Sequence, residues 1–242
     1  MTSEPKVLVS PEQGRPCNWV LVATKAYNVV PTVAWLRHLM DSETRLAVLQ
    51  NGVEHVARFA PYVPENRIVP VVVNMPVERI GPGHFRQRGN GHLTVAADFN
   101  GNEFARLFLN TGIDVSTTSD FQSEAWRKLA LNCAGAVSAL VLKPAAIAQR
   151  TPIANIMKAL VRECIVVGRA EGADLDDSLV ESVLDSYRNG PGDAINSIHA
   201  DRLAGRPIEI DARNGAIVRL GRKHKIETPV NQIIVALLEA AA

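Results

Sequence analysis

Cysteine is scarce in this chain: Cys17, Cys133 and Cys164 are odd in number and widely spaced. That pattern suits reduced thiols in a cytoplasm rather than a disulfide framework. The six histidines, His38, His55, His84, His92, His199 and His224, show none of the close His/Cys pairings that metal sites use, which argues against a metal enzyme. No charge of one sign prevails either. With 26 basic and 25 acidic side chains the net charge is +1, so no global field recruits nucleic acid or an anionic membrane. The cluster Arg219, Arg222, Lys223, Lys225 reads most simply as the last turn of a helix, where cations complement the dipole. No apolar run reaches the ~18 residues of a membrane span, and the start Met1-Thr2-Ser3-Glu4-Pro5-Lys6 lacks a basic region followed by an apolar core. These absences together predict a soluble cytoplasmic protein without nucleic-acid or membrane partners. The phosphate-binding Gly-x-Gly-x-x-Gly, the P-loop and Gly-x-Ser-x-Gly are missing as well.

What is present is strongly patterned, and 242 residues allow one large or two small domains. Residues 19–23 and 46–49 are continuous β-prone apolar runs of the kind that lie inside a parallel sheet, separated by a helix-like stretch over 29–40. Residues 68–73 and 89–95 predict further strands, 102–111 a helix ending at Gly112, and 113–116 a short strand. Gly89-Asn90-Gly91 reads as a hairpin turn rather than a phosphate loop. From Ser119 onward nearly everything is helical. Ser119 and Gln122 have capping-box spacing, and further helices are expected over 152–171, 177–187, 194–204, 211–223 and 229–240. The fold class is α/β, with a sheet domain over 1–118 and a helical domain over 119–242.

Candidate chemistry lies at the strand ends and on the first long helix. Lys25 follows the first buried strand, and Gln50-Asn51-Gly52 follows the second, at the edge where open α/β sheets bind ligands. Lys128 and Asn132 stand four residues apart, hence on one face, in the otherwise apolar run Trp126-Arg127-Lys128-Leu129-Ala130-Leu131-Asn132-Cys133. Blander readings compete with each. Glu124 is placed to pair with Lys128 on a solvated face, Asn51-Gly52 is a good turn pair, and Lys25 suits a solvated loop.

Residues 20–27, Gln50-Asn51-Gly52, the segment 126–133, Ser197 followed by Asp201, and Ile208-Glu209-Ile210-Asp211 leading to Asn214-Gly215 resemble, in order and spacing, the ketopantoate reductases (2-dehydropantoate 2-reductases) of the 6-phosphogluconate-dehydrogenase-like group. The resemblance implies a truncated Rossmann-like parallel sheet followed by an all-helical C-terminal domain, and NADPH-dependent reduction of ketopantoate or a related 2-oxo acid in pantothenate biosynthesis. It assigns Lys128 as proton donor, with Glu209 touching the cofactor and organising the lysine. It sets Asn51 between nicotinamide and substrate, Asn132 and Ser197 on the substrate, and Lys25 on the cofactor side. A ketone gaining hydride develops alkoxide charge, which an ammonium stabilises before giving up its proton. The sequence itself does not set the oligomeric state; related enzymes often use the helical domain as a homodimer surface.

The family's opening stretch, with the Gly-rich turn and the residues that select the adenosine 2′-phosphate, has no counterpart here. The expectation is weak or absent NADP(H) binding by this chain, explained by a misplaced start, a degenerate gene product, or a remodelled protein acting as a noncatalytic binding or assembly protein. Two further departures concern the pocket: amides common in the family four residues after Asn132 and three before Ser197 are Ala136 and Ala194 here. Each lost hydrogen bond is worth about 0.5–1.5 kcal/mol, enough to weaken ketopantoate binding or favour another 2-oxo acid.

Overall fold

The computed structural model describes residues 5–81 and 83–241. It comprises two compact units: Met1–Gln50 with His55–Ser119, and Asn51–Glu54 with Asp120–Ala242. The class is α/β, as the sequence predicts.

In the first unit, strands β1 (Trp19–Val22), β2 (Arg45–Val48) and β3 (Ile68–Pro70) form a parallel sheet in that order, with helix α1 (Val29–Leu39) crossing from β1 to β2. Leu46, Ala47 and Val48 are all fully buried, and they divide between two cores. Leu46 and Val48 join Val22, Leu36 and Phe59, whereas Ala47 joins Val69, Leu93 and Phe104. Burial on both faces is why β2 is a continuous apolar run instead of an alternating one. Helix α2 (His55–Phe59) leads from this region, its His55 Nε2 lying 2.8 Å from the carbonyl of Gln50.

The stretch 68–73 is not one strand. Pro70 ends β3, Val71 still donates to Val48, and β4 (Val72–Asn74) leaves to pair antiparallel with β7 (His92–Ala96), which pairs in parallel with β8 (Asp114–Thr118). Proline lacks the N–H that would extend the ladder, so the chain changes sheet there. Nor is Gly89-Asn90-Gly91 a hairpin turn. The hairpin lies earlier, between β5 (Val77–Gly81) and β6 (His84–Gln87), and β7 is not paired to β6. Helix α3 (Phe99–Arg106) begins three residues before its expected start, because Asp98 caps it by accepting the Gly101 N–H at 2.7 Å.

The second unit is helical: α4 (Phe121–Ala134), α5 (Ala136–Val141), α6 (Thr151–Ala170), α7 (Leu179–Asn189), α8 (Ser197–Leu203), a π-helical turn over Asp211–Gly215, α9 (Ala216–Lys223) and α10 (Pro229–Ala240). One core joins them, built from Trp126, Leu129 and Cys133 of α4, Leu160, Val161 and Cys164 of α6, and Leu238 of α10. Asp120, not Ser119, caps α4, its carboxylate accepting from the Ser123 N–H at 3.1 Å. Helix α8 starts three residues later than expected, capped by Asn196.

Candidate functional site

Within the second unit α4 carries Lys128 and Asn132 one turn apart. The short segment Asn51–Glu54 belongs to this unit, and Gly52 has φ +99°, a left-handed conformation open to glycine. Asn51 Nδ2 donates to Oε2 of Glu209 at 3.0 Å, and its Oδ1 lies 3.5 Å from Asn132 Nδ2, at the outer edge of a hydrogen bond. Glu209 is almost fully buried, so the Asn51 amide supplies a charge-assisted contact to a desolvated carboxylate. The turn-pair geometry and the polar contact of Asn51 therefore coexist.

Glu124 does not pair with Lys128. It pairs with Arg127 at 2.8 Å, leaving Lys128 without an ion-pair partner among the described residues. Burial, and secondarily the positive charge of Arg213, pull the Lys128 ammonium down to a pKa of about 8. No ion pair joins Lys128 to Glu209; the carboxylate faces Asn51 instead, so nothing holds the lysine pKa up. The result is an acid able to release its proton near neutral pH.

Ser197 opens α8 and is exposed, and its Oγ accepts a 2.7 Å hydrogen bond from Nη2 of Arg213. Arg213 is a residue that sequence reasoning missed. Its guanidinium is buried, and neither Nε nor Nη1 has a hydrogen-bond partner among the described residues. The available signal was its position four residues after Glu209, inside the expected helix over 211–223. The π turn is pinned by its neighbour Asn214, whose Nδ2 donates to Cys133 O at 3.2 Å and to Asn231 Oδ1 at 2.9 Å. Asn231 Nδ2 in turn donates to Glu163 Oε2 at 2.6 Å, and Glu163 accepts the Val230 and Asn231 N–H groups that open α10. Asp201 is also committed locally, to Arg206 Nε at 2.9 Å.

Lys25 belongs to the first unit, directly after β1, where its carbonyl accepts from Gln50 Nε2 at 3.3 Å. Gln50 is buried at the carboxyl end of β2, and its Oε1 has no hydrogen-bond partner among the described residues. No group of three or more His, Cys, Asp or Glu able to hold a metal occurs among the described residues, and no helix there is long and apolar enough to cross a membrane.

The family model "Ketopantoate reductase PanE/ApbA C terminal" matches residues 120–242, and "Ketopantoate reductase PanE/ApbA" matches residues 1–98. A 2-dehydropantoate 2-reductase of Caulobacter vibrioides is 52% identical over all 242 residues, which span 83% of that protein. One from Mycobacterium tuberculosis is 38% identical, over 96% of this chain and 78% of its own length. Among solved structures, the 2-dehydropantoate 2-reductase of Geobacter metallireducens superposes with a TM-score of 0.91 at 26% identity, covering 96% of this chain and 80% of that one. The matches run through both units and include every segment on which the site is built, and this chain belongs to the ketopantoate reductase family.

Proposed function

We propose that this protein reduces the keto group of 2-dehydropantoate to the 2-hydroxy acid with NADPH. The observation that carries the reading is Lys128: an ammonium brought to a pKa of about 8 by burial, one turn from Asn132 on the same helix. Its relatives' names supply the substrate.

The first unit would bind the cofactor and the second the substrate. Gln50, with its buried and unpartnered Oε1 at a strand's carboxyl end, fits a donor group such as the nicotinamide carboxamide, and Lys25 stands at the end of the neighbouring strand. The 242 residues contain no Gly-x-Gly-x-x-Gly, so this fit concerns the nicotinamide end alone. When bound, NADPH supplies the hydride, two electrons and one hydrogen, to the keto carbon. Lys128 stabilises negative charge growing on the keto oxygen and transfers a proton from Nζ to it. Asn132 holds the substrate's polar groups, Ser197 contacts the substrate, and Asn51 fixes the Glu209 carboxylate on the cofactor side.

The test is NADPH binding by calorimetry, followed by 2-dehydropantoate-dependent oxidation at 340 nm. Turnover that disappears in Lys128→Ala, with the cofactor still bound, is the expected result. Turnover retained in that variant would sink the assignment of the proton donor, and no turnover in the unaltered chain would sink the reading.

A further inference from the structure

Arg213 is a buried cation whose neighbouring carboxylates, Glu209 and Asp201, do not take up the hydrogen bonds of its Nε and Nη1. It is 2% exposed, and two of its three guanidinium nitrogens lack any hydrogen-bond acceptor among the described residues. A desolvated, half-satisfied guanidinium is expensive, and an apolar side chain of similar volume would serve the core better. Among the described residues its side chain hydrogen-bonds to Ser197 Oγ, which belongs to an exposed residue at the start of α8. A serine hydroxyl whose oxygen accepts from a cation at 2.7 Å keeps its own O–H available as a donor. The side chains at positions 136 and 194 are methyl groups and offer no donor. The π turn over Asp211–Gly215 carries Arg213 inward, and such insertions recur at functional positions.

Resting on the reductase reading above, we infer that Arg213 is a positioning residue that selects an anionic substrate: it occupies an acceptor site of Ser197 Oγ and orients the hydroxyl to donate to the carboxylate of a 2-oxo acid, and its buried charge holds that carboxylate. The other charged and titratable groups around it are Glu209, Tyr187, Asp201, Cys133 and Lys128. Glu209 is taken by Asn51 and Asp201 by Arg206, and the Tyr187 hydroxyl donates to Leu131 O at 2.9 Å. Both carboxylates act on Arg213 through their charge, but neither takes a hydrogen bond from its Nε or Nη1, and Nη2 is directed at Ser197. Arg213 also helps to keep Lys128 in its proton-releasing range.

The test compares the full chain with Arg213→Met, Arg213→Lys and Ser197→Ala, using 2-dehydropantoate and its neutral primary amide as substrates. Arg213→Met should raise KM for the acid by about 10- to 100-fold, as expected for a lost charge-assisted contact, and leave KM for the amide within about threefold. Adding Ser197→Ala to it should change KM little further, Arg213→Lys should recover part of the loss, and the basic limb of the pH profile should move upward in Arg213→Met. Because the methionine variant removes two buried guanidinium nitrogens that have no hydrogen-bond partner among the described residues, its Tm should not fall. Equal losses for acid and amide, or a lower Tm with additive effects of the two mutations, would overturn the inference by showing a structural role. Calorimetric titration of the acid, without cofactor, separates this from the reductase reading. If the unaltered chain binds the acid but does not turn it over, and Arg213→Met fails to bind it, the reductase reading falls and the anion site stands. Equal or absent binding in both proteins overturns the anion site.

Discussion

Asn51 Nδ2 donates to Glu209 Oε2 across 3.0 Å, tying the loop after β2 to a buried carboxylate 158 residues later in the chain. Removing the donor leaves that carboxylate short of a charge-assisted bond worth about 1.5–3 kcal/mol. Asn51→Ala should therefore lower kcat/KM by about 10- to 100-fold and reduce Tm. Asn51→Asp should be worse, since it sets a second carboxylate against the first. Steady-state NADPH oxidation and thermal melts check this, and identical behaviour of the two variants would remove the electrostatic basis of the contact.

The depressed pKa of Lys128 has a sign that stability measurements can read. Its ordinary value is 10.5 and its folded value about 8, so between these the unfolded chain binds more protons than the folded one. Stability arising from this group thus rises from pH 8 to pH 10.5 and is lost below 8, at a cost on the order of 3 kcal/mol near neutrality. Lys128→Met should stabilise the protein at pH 7, with the gain shrinking as pH approaches 10. Urea titrations at the two pH values measure the difference; a gain independent of pH would contradict the burial of the ammonium. The rate of reduction should fall as pH passes about 8 and the proton donor is lost.

His55 gives the first unit an acid limit. Burial lowers its pKa from 6.5 to about 4, so the unfolded state takes up a proton across that interval and the folded state does not. Stability is fully present above pH 6.5 and drains away as pH falls toward 4. In His55→Gln the decline of Tm over this window should be shallower than in the unaltered chain. An unchanged slope would place the acid sensitivity elsewhere.

Gly135 separates α4 from α5 at a point of close contact. A Cβ there would stand 2.4 Å from Tyr187 Oη and 2.7 Å from Asn196 Nδ2. Those two atoms donate to Leu131 O at 2.9 Å and to Gly135 O at 2.8 Å, so one methyl group displaces both. Gly135→Ala should destabilise by about 1–3 kcal/mol despite alanine's better helix propensity. A rise in Tm would show that the contact yields without cost.

Much of the fold was readable because burial dictates composition. The β2 run is apolar throughout as both its faces are covered, and Pro229 at the first turn announced α10 with its observed limits. The hairpin of β5 and β6 was not readable: every residue of β6 is exposed, so no alternation marks it. Asp120 displaced Ser119 as a cap because one residue's shift in helix entry leaves the apolar pattern unchanged. At the site, Lys128, Asn132 and Asn51 were conspicuous as polar groups in apolar or glycine contexts. Arg213 was not, since a single inserted residue in a π turn rotates a side chain inward without altering the local composition.

The amide ladder running from Asn214 through Asn231 to Glu163 makes helix α10 an accessory of the turn that carries Arg213. Helix α10 receives its first-turn capping from α6, and returns a side chain that pins the turn carrying Arg213. During synthesis, a ribosome that has delivered α4 with its lysine has not yet delivered the piece that locks Arg213 in place. Competence for an anionic ligand then waits on the emergence of α10, and amide hydrogen exchange should find α10 and residues 211–215 opening as a single unit.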